Sequence, residues 1–472
     1  MSIGGAPSSV AARPGQTYFV PGVRVMRLSP LPHPGPDKEA EEIVELRPDI
    51  LSVSVTRPCS GAAQYCIVLN NWFDSLPRDR ANGVGPREEI EPTSHQPAWP
   101  RFKYNDFRVL DFGRRLRIDM RYFPDPDATL LSTTDRQAQR WVPMISGPIT
   151  DMRFTFSDRD GARLEVCGED DLCLLKNKNP KKVDYWARPE QEIVDDVLKR
   201  AKFPLPLAKP AIPWPKFTES TAKALAEAHF EGQSYLEYLL HFAERWDFEV
   251  FLEYVSLDDP NSGLEFHFEP CRCRTPPDKT LREVYVVERG TNLVEFRPIL
   301  RLVDQWTSVT ITAHDHSWKN PATISATSPQ HPDPLLPPPA PGADPDPLAD
   351  ELHIDAARGD EPLTPGPEWR RRKFGLNPQT IPNQRGLDKE RAQVMADASY
   401  RRRAREFLKV DAVTIGLPRL RAGRHVEFKG MRPPFDGFYY VEESTHTYGD
   451  DGLRTQFCAR RPGMPFRPTG AS

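Results

Sequence analysis

Hydrophobic and polar residues alternate with the two-residue period of half-buried strands through the first third of this chain. Tyr18 to Leu28 and Ile50 to Asn70 show it, with Leu51, Val53 and Val55 and then Tyr65, Ile67 and Leu69 on one face. It resumes over Asn105 to Phe123, where Leu116, Ile118 and Met120 alternate with Arg117 and Asp119. Pro143 to Leu175 predicts a hairpin: Ile149, Met152, Phe154 and Phe156 on the outgoing strand, a turn at Asp158 to Gly161, and Leu164 and Val166 returning to Gly168. Such a sequence of antiparallel strands closes into a first β-barrel over 18–188.

The period then changes. Ile193, Val194, Val197 and Leu198 have helical spacing within Pro189 to Lys202, and Thr221 to Phe230 predicts a short alanine-rich helix. Ser234 followed three residues later by Glu237 is a capping box, placed before Leu236, Leu239, Leu240, Ala243 and Trp246 on one helix face. Phe248 to Tyr254 and Leu264 to Phe268 alternate as a hairpin, which makes 189–280 a small α/β domain. Strands return at Val284 to Val287, Leu293 to Phe296, Leu300 to Val303 and Val309 to His316, opening a second barrel assigned to 281–327 and 375–466. Asp388 is placed to cap a helix carrying Ala392, Met395, Ala396, Ser399 and Phe407.

The second barrel closes with three strands between His425 and Arg461. Val426 and Phe428 form the first, Phe438 to His446 the second, and Leu453 to Ala459 the third, across a Gly449-Asp450-Asp451-Gly452 turn. Gly437 follows Asp436 in an Asp-Gly turn, where a positive φ is expected. Gly437-x-Tyr439 echoes Gly147-x-Ile149, a faint internal repeat. The fold class predicted is therefore mainly β, with two similar antiparallel β-barrel domains flanking a small α/β domain.

Composition adds the connections. Proline is unusually frequent, 51 of 472 residues, and Ser328 to Pro367 with its Pro337-Pro338-Pro339 run lacks the apolar content to bury itself. We expect 328–374 to be an extended excursion, Met1 to Thr17 a loose arm, and Asp74 to Pro100 a surface loop. A formal net charge of −4 gives no global reason to expect nucleic acid or an anionic membrane as partner. No apolar run approaches the ~18 residues of a membrane span, and no leader precedes a cleavage site. Seven irregularly spaced cysteines do not form a secreted disulfide framework, so they are expected to stay reduced in the cytoplasm.

Chemistry is sparse. His314 and His316 share a strand face and, with His446 as third ligand, could hold zinc for a metal-dependent hydrolase. Against this, Thr310 and Thr312 continue the same polar face as a solvated strand surface would. His267, Cys271 and Cys273 lack a fourth ligand and the usual cysteine spacing. There is no Gly-x-Ser-x-Gly and no phosphate-cradling glycine loop. The basic run Arg401 to Arg403 predicts an exposed or interface side of its helix, and Arg370 to Lys373 is a second basic run that could touch phosphates. No catalytic, cofactor or metal residue is assigned.

Three stretches in order, Ile145 to Leu174, Glu231 to Tyr254 and His425 to Arg461, resemble the phage late control protein D family, hub proteins of contractile tails and tail-like injection machines. The resemblance marks Gly147, Ile149, Gly168, Ser234, Glu237, Asp315, Gly437, Tyr439, His446 and Thr455 as its structural signature, with Asp315 in a strand-end turn. It does not extend over the first few dozen residues, Ser75 to Pro100, or Ser328 to Pro367. It implies a non-enzymatic homotrimer that adapts a hexameric tail tube protein to a spike among other baseplate components. The resemblance also implies assembly in the cytoplasm into a virion-like particle. Because the chain ends near Ser472, directly after the second barrel, the spike is expected to be a separate protein.

Overall fold

The computed structural model describes residues 20–32, 39–72, 102–123, 141–157, 161–176, 190–210, 212–215, 232–259, 261–274, 284–315, 322–329, 347–349, 351–352, 363–384, 387 and 389–465. The arm at 1–17, the loop at 74–100, the turn residue Asp158, the helix at Thr221 to Phe230, His316, Asp388 and most of the proline-rich stretch lie outside the described residues.

The first β half contains β1 (Val20–Arg27), β2 (Glu41–Glu42), β3 (Ile50–Pro58), β4 (Gln64–Asn70), β5 (Arg115–Phe123), β6 (Val142–Ser157) and β7 (Gly161–Glu169). A middle unit follows with α1 (Cys173–Lys176), α2 (Glu190–Ala201), α3 (Tyr235–Trp246) and the hairpin β8 (Phe248–Tyr254) with β9 (Leu264–Pro270). Next come β10 (Tyr285–Glu288), β11 (Leu293–Leu300), β12 (Ser308–Asp315), β13 (Ala322–Ser328), β14 (Leu363–Pro365), α4 (Gly366–Phe374), β15 (Pro378–Gln384) and α5 (Lys389–Arg405). The chain finishes with β16 (Leu408–Ile415), β17 (His425–Lys429), β18 (Gly437–Gly449), β19 (Gly452–Arg461) and β20 (Gly463–Pro465). The fold is mainly β with a small α-containing insert.

Each β half has its own core. Val53, Val55, Ile67, Leu69, Ile118, Met120, Ile149, Leu164 and Val166 fill the first, so the sequence alternation in these strands is the alternation of buried and outward positions. Tyr285, Val287, Val410, Val426, Phe428, Tyr439, Val441 and Phe457 fill the second. The halves repeat one topology, β3-β4-β7-β6-β5 against β11-β16-β19-β18-β17, with antiparallel pairing at every step. Even the bulges recur, at Ile50/Ser52 and Leu293/Glu295, and at Ile149/Asp151 and Val441/Glu443. A bulge is an extra unpaired residue that re-aims a strand, so it fixes the structural alignment of the halves. Ile149 thereby falls on Val441, not on Tyr439, and the Gly-x-Ile/Gly-x-Tyr echo read from the sequence is two residues out of register.

Several expectations are corrected here. Strand β11 ends at Leu300, and Val303 is exposed in a turn. The strand read at Val309 to His316, given to the second barrel by its sequence position, instead forms a separate three-stranded sheet β13-β12-β15. Its inward side chains Val309, Ile311, Ala313 and Ala326 share one core with α2, α3, α5 and the β8–β9 hairpin. The middle unit is thus assembled from distant pieces of chain, a packing decision that local periodicity cannot express. The proline-rich stretch also contributes core: Leu348 is fully buried, Glu351 is buried, and β14 pairs with β20 at the end of the chain. Among the described residues no helix is long and apolar enough to cross a membrane.

Cysteine chemistry departs from expectation too. Cys66 and Cys167 stand directly opposite on β4 and β7 and their sulfurs are joined at 2.05 Å, and the sulfurs of Cys271 and Cys273 are also paired. The expectation of seven thiols fails at Cys66 and Cys167, because strand pairing brings residues 101 apart in sequence face to face.

Candidate functional site

The feature that holds the molecule together is the seam where the two β halves meet. Strand β18 uses one edge for β19 and, along Glu443 to Tyr448, the other edge for β3 of the first half, with Glu443 opposite Pro58 and Tyr448 opposite Val53. Thr56 and Thr445 share a hydroxyl hydrogen bond of 2.9 Å across it. At the tip of the β18–β19 hairpin, Leu453 enters the core of the first half and Tyr448 packs against it. Arg57, buried in β3, donates to the Leu252 and Met144 carbonyls, both at 2.7 Å, tying the seam to the middle unit. Arg421 donates to the Pro143 carbonyl and so links the second half back to β6.

The residues of the family-like signature lie in strands, at a helix cap and at close backbone approaches. His446 lies at the seam, and its Nε2 faces the Leu420 carbonyl at 2.9 Å, so that nitrogen must carry the proton. Nδ1 then accepts from the Thr455 hydroxyl at 3.0 Å, while that hydroxyl accepts from the Leu417 amide at 2.8 Å. Burial, reinforced by Arg421, pushes the imidazole down to about 3, so it is neutral. Both ring nitrogens are engaged, which removes His446 from the zinc set considered with His314 and His316. His314 lies in β12, and Asp315 is the last residue of that strand, paired with Ala322.

Gly147 and Gly168 are needed for close approach. A Cβ on Gly147 would sit 1.9 Å from the Glu169 carbonyl oxygen, and one on Gly168 would meet the Pro148 carbonyl oxygen at 2.3 Å. Ile149, opposite Gly168 across the β6–β7 pair, is part of the first core. Gly437 opens β18 with φ of 118°, a region that side-chain-bearing residues avoid. Tyr439 is buried under Arg461, and its hydroxyl donates to the Phe435 carbonyl at 2.9 Å. Ser234 caps α3, accepting from the Glu237 amide while the Glu237 carboxylate accepts from the Ser234 amide at 2.7 Å.

The sequence gives no warning of the charge cluster that fastens α5 to the rest. Asp247 ends α3 in the left-handed region, with φ of 60°, and aims its carboxylate at Arg405 and, at 3.0 Å, Arg401. Arg405 also holds Glu351 at 2.6 Å, and Arg391 holds Glu190 at 2.8 Å. Burial alone would raise the Asp247 carboxyl, but Arg405 and then Arg401 outweigh it and hold it at about 2. Of the reading of Arg401 to Arg403 as an exposed or interface side, exposure is corrected at Arg401, which is buried against Asp247; Arg402 and Arg403 keep partners at the rim. The run at Arg370 to Lys373 lies on α4, where Arg371 and Arg372 pair with Glu368. The small cluster around Cys271 is likewise structural: His267 stacks on Phe251 with ring centroids 4.8 Å apart, and Arg272 bridges Glu269 and Glu253.

No protein-family model matches the sequence, and no curated protein sequence matches it. Among solved structures, a tail protein from Neisseria meningitidis aligns over 94% of this chain and 96% of its own with a TM-score of 0.53 at 10% identity. The chain shares the fold of a tail protein. A prophage tail protein from Shewanella oneidensis aligns at TM-score 0.49, 13% identity, 93% of this chain and 98% of its own. A component of the Escherichia coli type VI secretion system aligns at 0.45, 10% identity, 89% and 76%. At the level of fold, the Neisseria meningitidis tail protein agrees with the resemblance read from the sequence.

Proposed function

We propose that this chain is a structural baseplate hub of a contractile phage tail or tail-like injection system. Three copies close into a ring that adapts a hexameric tail tube to a trimeric spike. The observation that carries the reading is the duplicated β half: two five-stranded units with the same strand order and the same two bulges, fused edge to edge. A ring of three such chains offers a pseudo-six-fold face to a six-fold tube while keeping a three-fold face for a spike, a heterologous interface that closes. The fold shared with a tail protein supports it. A non-enzymatic role is supported by the occupied ring nitrogens of His446 and by buried charges committed to one another. In this reading the protein is assembled in the cytoplasm and incorporated with the other baseplate components.

The test is mass in solution, alone and with the tube and spike proteins of the same particle, followed by electron microscopy of the complex. A three-chain ring with six-fold character on one face is the expected result. A monomer in the presence of both partners refutes the reading.

A further inference from the structure

Cys66 and Cys167 stand directly opposite each other on β4 and β7, with Cα atoms 4.1 Å apart. Both lie on the outward face, because their chain neighbours Tyr65, Ile67 and Val166 fill the first core. Glu165 shares that face, two residues before Cys167, and its Oε1 lies 3.9 Å from the Cys167 sulfur. Its other carboxylate oxygen, Oε2, accepts from the Arg153 guanidinium of β6 at 2.5 Å, which fixes the carboxylate in place. The two sulfurs and this carboxylate each bring a ligand atom to within 4.8 Å of the others, and among the described residues no other trio of His, Cys, Asp or Glu does so. All three side chains are half-buried, so an ion from solvent reaches them.

Such a donor set closes in two ways. Oxidised, the sulfurs are joined to each other. Reduced, two thiolates and a carboxylate are donors that suit zinc, whose tetrahedral bonds of about 2.0–2.3 Å set neighbouring ligand atoms roughly 3.5–3.8 Å apart. Strands β4 and β7 are already hydrogen-bonded along this stretch, so the sulfurs are presented together before any ion arrives and little ordering entropy opposes chelation.

We infer that the reduced Cys66–Cys167 pair, with Glu165 as third ligand, binds one Zn2+ ion, and that oxidation to the disulfide expels it. Water completes the fourth position. With a low-molecular-weight disulfide as oxidant the step balances: the two cysteine thiolates lose two electrons as their S–S bond forms, and Zn2+ leaves with its charge unchanged. The oxidant's S–S bond breaks, and its sulfurs take those electrons and two protons from water to leave as thiols. Strands β4 and β7, 101 residues apart at these positions, are thus tied in both states, by the ion in reducing surroundings and by the covalent bond in oxidising ones. Because the ion binds only the reduced form, mass action makes the pair harder to oxidise when zinc is present. The site does not depend on the ring reading.

The experiment uses the full chain, reduced with a phosphine that is then removed, and titrated first with Co2+ as a spectroscopic probe and then with Zn2+. We expect a single equivalent of cobalt with sulfur-to-metal charge transfer and the visible bands of a tetrahedral site, displaced by zinc, and no binding after treatment with oxidised glutathione. Glu165→Gln, which keeps both sulfurs, should weaken zinc about tenfold. Cys66→Ser with Cys167→Ser should abolish binding, whereas Cys271→Ser with Cys273→Ser should leave it unchanged. Alkylation mapped by mass spectrometry asks the same of the unsubstituted chain: with zinc at about ten times its Kd, modification of Cys66 and Cys167 should slow roughly tenfold. A reduced chain that binds no zinc, a fold lost on reduction that zinc does not restore, or protection confined to other cysteines overturns the site and leaves this pair as a disulfide alone.

Discussion

Replacing Arg405 with Met removes the guanidinium from the buried cluster while leaving a side chain of similar reach. In the native protein Arg405 is 1% exposed and bonds Asp247 at 2.8 Å and Glu351 at 2.6 Å. Asp247 retains Arg401 at 3.0 Å, so the residue stranded by the change is Glu351, itself 3% exposed at the side chain. Stranding one member of a buried ion pair costs ~3–5 kcal/mol, because the remaining charge has lost its water and its partner together. At about 1.4 kcal/mol per tenfold, that is a hundredfold or more in the folding equilibrium, and a large share of the ~5–15 kcal/mol that holds a typical protein folded. Urea denaturation of the purified variant at pH 7 reads it. Glu351→Gln should recover part of the deficit in the double variant, because it removes the charge that Arg405 no longer matches. A deficit below about 1 kcal/mol, or one that Glu351→Gln leaves unchanged, would refute the mutual dependence of these charges.

Deleting Ser328 to Pro367 removes Leu348, Glu351 and β14 and is expected to give unfolded or aggregated protein; Leu348→Ala alone should cost about 2–5 kcal/mol in the same assay. Gly147→Ala drives a methyl into the Glu169 backbone and should cost about 1–3 kcal/mol or more, seen as a lowered melting temperature. Gly437→Val forces a β-branched residue to a φ of 118° and should cost about 1–3 kcal/mol, with hydrogen exchange quickened first in β17 and β18. Asp247, held at about 2 against an unfolded value near ~3.9, contributes stability that is complete above about pH 4 and is lost as pH falls from there toward 2. An acid titration of Asp247→Asn should lack that component.

Much of this protein is set locally. Alternation fixes which faces of β3, β4, β7 and β19 are buried, because successive strand residues point to opposite sides whatever the strand pairs with. The capping box at Ser234 and the turn at Gly437 are likewise decided within a few residues of chain. Gly147 is marked only by the resemblance, with no reason legible in its own neighbours: it takes the Glu169 carbonyl, brought alongside by β7, to show that Gly147 admits no side chain. Tertiary structure alone decided the rest. Whether β12 belongs to the second half or to the middle sheet depends on what covers its inward face, and α5 does. Whether Arg401 faces solvent depends on a carboxylate 154 residues away, at the end of α3. The repeat was audible in the sequence two residues out of register, because a bulge shifts pairing without leaving a compositional mark, and only strand partners reveal where the extra residue sits.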